Sequence, residues 1–325
     1  MMSLYSRITG KLTRIYLHIR IFIFNLWNSL TGPSRLRSAV KQNTPPANFE
    51  SIYSSGKREI EILQSDKELS EVIFACYFVH QADPIQGMIR RTPDINYIAP
   101  WYKSIEKIGV TGIIVHDGLD EDFIAKHQTD GILFRKYRPG LYSIFEERWF
   151  AFYLFLSQTN IKHAFISDIN DVYITKNPFE ILTNDLALYV GKDNANKIKN
   201  SEWMLAELAE FEKDSGIKAP FLYRYQHAYN AGVMGGSRVI LLFLMSRVIC
   251  YILLTKTSSH KDMTLLNLCI HEHFFPRIGQ DLFNPRLTTK EDDIRAAHEY
   301  LVTGYPFNSD FQKQQLNSDA YFIHK

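Results

Sequence analysis

The chain has 325 residues, 46% of them hydrophobic and 14% aromatic, so it can build a full core and does not read as a disordered polymer. A formal charge of +2 gives no electrostatic footprint for a nucleic-acid partner. The three cysteines, Cys76, Cys250 and Cys269, are scattered through apolar surroundings without a CxxC or His/Cys pattern. That indicates neither a disulfide framework nor a zinc site, and leaves buried thiols as the expectation.

Residues 1–67 read as an N-terminal extension and 68–325 as one catalytic-size domain. Lys11 to Leu30 is apolar but interrupted by Arg14, His18 and Arg20. Its longest uninterrupted apolar piece, Ile21 to Phe24, is far short of the roughly 20 residues that span a bilayer. The basic residues inside the run also fit a signal peptide poorly. What remains is an interfacial helix, with peripheral membrane contact through residues 11–30, or a helix packed on the body. Thr31-Gly-Pro-Ser and residues 41–47, KQNTPPA, read as linker. No Asn-x-Ser/Thr acceptor occurs, in keeping with a cytoplasmic protein, peripheral at the inner membrane face if the helix is interfacial.

From Val72 the pattern becomes α/β. Val72 to Val79 is a strand-length run of β-formers, followed by the polar loop His80-Gln-Ala-Asp83-Pro84. A short helix is expected over Trp101–Ile108, a buried strand over Gly112–His116, and a further strand near Ile132. Apolar residues at helical spacing predict a helix from Leu141 to Leu156, with Glu146, Glu147 and Arg148 embedded in it. Ala164 to Ile166 and Leu186 to Val190 read as strands. Alternating strands and helices imply a mainly parallel sheet flanked by helices, whose ligand crevice lies at the strand ends.

The strand at Ala164–Ile166 stops at Ser167-Asp168-Ile169-Asn170-Asp171, with Asn177-Pro178-Phe179 soon after. Carboxylate and amide oxygens just past a buried strand are hard ligands, suited to Mg²⁺ or Mn²⁺ held against phosphate oxygens. An ordinary Asx-capped turn is the competing reading of such a cluster. Tyr229-Asn230-Ala231-Gly232-Val-Met-Gly-Gly reads as a small-residue turn before a long helix, Val239–Leu254, serving either close packing or phosphate approach. Lys261 to Asn267 starts another helix with Asp262 near its N-cap. The chain ends Tyr321-Phe-Ile-His324-Lys325, where the apolar residues argue for a terminal strand.

In this order, Phe165-Ile-Ser-Asp168-Ile-Asn170-Asp171-Val, Asn177-Pro178-Phe179, Asn230-Ala231-Gly232, Asp262 with Asn267, and Ile323-His324-Lys325 resemble a GT-A-fold glycosyltransferase over about residues 70–325. The resemblance implies a Rossmann-like, GT-A-like fold and transfer of a sugar from a nucleotide-diphospho-sugar to an unknown acceptor, whether glycan, lipid or protein. It implies a DxD-type metal site in which Mn²⁺ or Mg²⁺ is held by Asp168, Asn170, Asp171 and His324. Here that motif is DxND, so which of the three loop residues bind is left open. Lys325 would contact phosphate, and Tyr77, Val79, Asp83 and Asp117 would flank the nucleotide; Arg148, if it faces the crevice, would suit phosphate or a carboxylate. Asn230, Ala231 and Gly232 would line the sugar pocket. Asp262 would orient the sugar or act as base, and Asp171 would share in catalysis. Two other classes compete: a nucleotidyltransferase, whose Gly-rich basic loop is missing after the first strand, and a non-catalytic protein binding glycan or membrane. Glu147 and Arg148 could also simply pair with each other at the edge of the core.

Overall fold

A computed structural model describes residues 58–81, 92–182, 185, 187–220, 222–255, 261–274, 302–303 and 321–324, together with Tyr16, Ile19, Arg20 and Ile23, which are helical; side chains of 192–196 and 302–303 are outside this set. Most of the extension, the linker at 41–47, Asp83, Leu186 and Lys325 therefore lie outside the described residues.

The strands of the main sheet are β1 (Glu59–Ile60), β2 (Glu71–Tyr77), β3 (Gly112–His116), β4 (Ile132–Arg138), β5 (His163–Ser167), β7 (Leu188–Lys197) and β8 (His227–Ser237), in the order β1-β4-β3-β2-β5-β8-β7. Strands β4, β3, β2 and β5 are mutually parallel, whereas β1, β8 and the β7–β8 pair are joined antiparallel. A small second sheet pairs β6 (Val172–Ile174) antiparallel with β10 (Phe322–His324), which runs parallel to β9 (Val302–Thr303). The architecture is α/β, with a mixed, mostly parallel sheet flanked by helices.

Period-two alternation divides each parallel strand between two apolar layers. Val72, Phe74, Ile113, Val115, Ala164 and Ile166 point to one. Helices α3 (Ile144–Gln158), α4 (Glu202–Ser215), α5 (Arg238–Leu254) and α6 (Asp262–Cys269) cover that layer. Ile73, Ala75, Ile114 and Phe165 point to the other, under α1 (Ile95–Ile108) and α2 (Glu121–His127). The chain walks outward from β2 to β3 and β4, then crosses back to place β5 on the other side of β2. The strand order thus reverses between β2 and β5, and the crevice beyond their C-terminal ends is where open α/β sheets take ligands.

Three sequence expectations change. The run at 229–236 is not a turn but lies within β8, because its glycines answer to neighbours across the sheet. A Cβ on Gly235 would sit 2.2 Å from the ring of Phe165, and one on Gly236 would lie 2.8 Å from the carbonyl oxygen of Ala187. Residues 58–67, placed with the extension, belong to the body. β1 joins the sheet edge, and buried Asp66 takes two hydrogen bonds from buried Arg135, Nε at 2.8 Å and Nη2 at 2.5 Å. Helix α1 begins at Ile95 rather than Trp101, because the Asp94 side chain accepts from the Asn96 N–H at 2.9 Å and caps it.

Candidate metal centre

Strand β5 delivers the acidic bend. Asp168 N–H donates to the Gly232 carbonyl at 2.9 Å, extending the β5–β8 ladder by one residue. Ile169 and Val172 are buried in the layer under α1. That anchoring leaves the carboxylates of Asp168 and Asp171 half-buried at the crevice, with side chains 29% and 22% exposed. Helix α1 pins the bend at both ends: Trp101 Nε1–H donates to Ser167 Oγ at 2.8 Å, and Ile174 N–H donates to Ser104 Oγ at 3.1 Å.

The third member arrives from the far end of the chain. In the β6–β10 ladder His324 stands opposite Val172, the residue after Asp171. Its Nε2 lies 3.7 Å from Asp168 Oδ2 and 3.6 Å from Asp171 Oδ2, and one ligand atom from each of the three falls within 4.8 Å of the others. Gly232 makes room for the ring: a Cβ there would lie 2.2 Å from His324 Cε1. Burial works against the imidazolium, but the hydrogen bond to Asp171 and the charges of Asp168 and Asp171 outweigh it, so the His324 pKa is raised.

The donor set fits a hard divalent cation. Asp171 Oδ1 is buried and has no hydrogen-bond partner among the described residues. An orphaned buried acceptor is costly, and a cation would satisfy it. Two carboxylates with one imidazole, leaving further positions for water or phosphate oxygen, suit Mn²⁺ or Mg²⁺. Asn170 is half-buried in the same bend, so it stays a candidate alongside them.

Arg148 and Glu147 are adjacent on α3 but do not pair. Arg148 Nη1 bonds Asp168 Oδ1 and its Nη2 bonds Asp262 Oδ2, so one guanidinium bridges the metal-site carboxylate and the acid at the start of α6. Burial opposes its charge, and the two aspartates more than restore it. Asp262 is thus the first residue of α6 rather than its cap, which is Lys261, and its carboxylate is turned to the crevice side. Glu147 faces away, where Arg58 holds it through Nε at 2.9 Å and Nη2 at 2.7 Å, and Tyr137 O–H donates at 2.7 Å.

The residues expected at the nucleotide are spread differently. Tyr77 is buried in the layer under α1, its oxygen accepting from Asp94 N–H at 2.8 Å, and Val79 is fully buried. Both side chains therefore serve the core. Asp117 closes the end of β2, accepting from Val79 N–H at 2.6 Å and His80 N–H at 3.0 Å. Asn230 Oδ1 accepts locally from Gly232 N–H at 2.6 Å, and Ala231 is buried. Asn267 acts as a clamp on β8: its Nδ2 donates to the Tyr229 carbonyl and its Oδ1 accepts from Tyr229 N–H, both at 2.8 Å.

Sequence reasoning missed the acids behind Asp262. Glu146 is buried, and burial together with the Asp262 charge raises its pKa to about 7. Glu207, on α4, is pushed to about 7 by the same two causes and accepts from Thr264 Oγ1 at 2.6 Å. The Ser143-x-x-Glu146 capping box was the readable signal for Glu146; for Glu207, a residue on an amphipathic helix, there was none.

No protein-family model matches the chain, and no curated protein matches it either. Among the described residues, no helix is long and apolar enough to cross a membrane.

Proposed function

We propose that this chain is a metal-dependent glycosyltransferase that moves a sugar from a nucleotide-diphospho-sugar to an acceptor hydroxyl. One observation carries the reading. Carboxylates 168 and 171 and the imidazole of residue 324, more than 150 positions apart, converge within 4.8 Å at the crevice where the strand order reverses.

Asp168, Asp171 and His324 would hold Mn²⁺ or Mg²⁺, with Asn170 as a further oxygen ligand. When bound, such a cation supplies Lewis-acid neutralisation of the charge growing on the departing nucleoside diphosphate. Arg148 has both terminal nitrogens committed to aspartates, so it sets the spacing between the metal site and Asp262. Asp262, oriented by that bond, would accept a hydrogen bond from a sugar hydroxyl or the proton of the acceptor hydroxyl. Lys325 takes the phosphate-contact role through the sequence resemblance. The α/β sheet, the acidic bend after β5, the Asn-Ala-Gly run on the neighbouring strand and the terminal histidine together support the assignment.

The test is release of nucleoside diphosphate from a panel of UDP- and GDP-sugars with Mn²⁺, by the wild-type chain and by Asp171→Ala. Release by the wild type that depends on the cation and is lost in the variant is expected. Equal release by both, or none from any donor, overturns the reading.

A further inference from the structure

The N-terminal segment carries a second, separate signal. Of the 37 Lys and Arg in the chain, seven fall within residues 1–49, and of the 35 Asp and Glu none does. The first 49 residues therefore carry a formal +7, and the rest of the chain −5. Within this basic stretch the polar residues Arg7, Lys11, Arg14, His18 and Asn25 recur at steps of three, four or seven, one side of a helix. Leu12, Tyr16, Ile19, Ile23, Leu26 and Leu30 recur at the same steps on a different side.

The described residues of the second stripe show what that side meets. Tyr16, Ile19 and Ile23 are helical and 59%, 52% and 58% exposed. Arg20 stands at the stripe's edge, its guanidinium 5.6 Å over the Tyr16 ring. These three side chains are thus not used by the body's core, though as large apolar groups they would gain from leaving water. A run too interrupted by charge to span a bilayer, apolar along one side and basic along another, suits the interface plane of a membrane.

We propose that residues 7–30 dock the protein on an anionic lipid bilayer, with the apolar stripe in the acyl boundary and the basic side at the headgroups. The charge distribution selects this occupant. A second copy would bring another +7 segment against the first, whereas anionic headgroups neutralise it. The body, at −5, is repelled by the same surface, so the segment is what holds the protein there. This inference does not depend on the glycosyltransferase reading.

Flotation of the full chain tests it, using phosphatidylcholine vesicles with and without phosphatidylglycerol. The wild type is expected to float with the anionic vesicles and to stay below with the neutral ones. The double variant Ile19→Asp, Ile23→Asp is expected to lose at least about tenfold in partitioning, and Lys11→Glu with Arg14→Glu to lose the preference for anionic lipid. The Ile19→Asp, Ile23→Asp variant should keep the wild-type unfolding midpoint, because both replaced side chains are more than half exposed. Wild type that fails to float, or a double variant that floats equally well, overturns the proposal. So does a dimer, seen by light scattering, that Ile19→Asp, Ile23→Asp dissolves, since the stripe's occupant is then a second copy.

Discussion

Gly232 and His324 share one volume: the imidazole fills the space that any side chain at residue 232 would need. Gly232→Ala must push the ring off its place between Asp168 and Asp171 while leaving the β8 ladder able to form. A displaced metal ligand or its support typically costs about 10–100-fold in affinity. Mn²⁺ titration by calorimetry is expected to show a loss of that size, with far-UV circular dichroism unchanged. Undiminished Mn²⁺ affinity in Gly232→Ala would remove His324 from the metal shell.

Arg148 is the counter-charge of two aspartates at once. Arg148→Met leaves Asp168 and Asp262 facing each other without it, and breaking such a largely buried system costs about 3–5 kcal/mol. A divalent cation at Asp168 would replace part of the lost charge. The expected result is a lower melting temperature in the metal-free variant and a larger upward shift on adding Mn²⁺ than the wild type shows. Equal Mn²⁺ shifts in the two proteins would mean that Asp168 does not face the cation.

Arg58 and Glu147 form a second buried pair, one residue along α3 but on its other side. The Arg58 guanidinium also lies 3.8 Å over the Phe150 ring. Arg58→Ala strands a fully buried carboxylate, so a loss of about 3–5 kcal/mol is expected in urea unfolding. Glu147→Gln combined with Arg58→Met removes both charges and should recover part of that loss. Nucleoside diphosphate release by the folded double variant should stay near wild type, because neither residue reaches the crevice; a collapse of kcat would connect this pair to the site.

Much of the site was legible because its elements announce themselves locally. Ala164-Phe-Ile is apolar enough to be a central strand and stops at a run of side chains that cap and coordinate. Phe322 and Ile323, before His324, could only be tied down by pairing. What was not legible depends on distant neighbours. The glycines of β8 have weak strand preference and read as a turn, yet Phe165 and Ala187 leave room for nothing larger. Arg148 looked like a partner for Glu147 because sequence shows adjacency, while a helix turns successive side chains by about 100°. The ion pairs Arg58–Glu147 and Arg135–Asp66 join residues 89 and 69 positions apart, a separation that no local pattern encodes.

The buried acids behind Asp262 give the last prediction. Glu146 and Glu207 have folded-state pKa values of about 7, raised first by burial and then by the Asp262 charge. In the unfolded chain a glutamate titrates near 4.3. Between those values the folded state binds more protons, so each residue's favourable contribution is complete at low pH and is lost as pH rises through about 7. Histidines alter the absolute profile: burial lowers the pKa of His116 to about 4 and that of His271 to about 3, so their contribution runs the opposite way, lost as pH falls below about 6.5. A difference measurement cancels them. Urea unfolding of wild type and of Glu146→Gln with Glu207→Gln, from pH 5 to 8, should show the wild type losing ground to the variant as pH rises. The slope in that window is up to about 1.4 kcal/mol per pH unit for each glutamate. A difference that stays constant from pH 5 to 8 would mean that both carboxyls titrate alike in the folded and unfolded chain, and that Asp262 stands apart from any protonated neighbour.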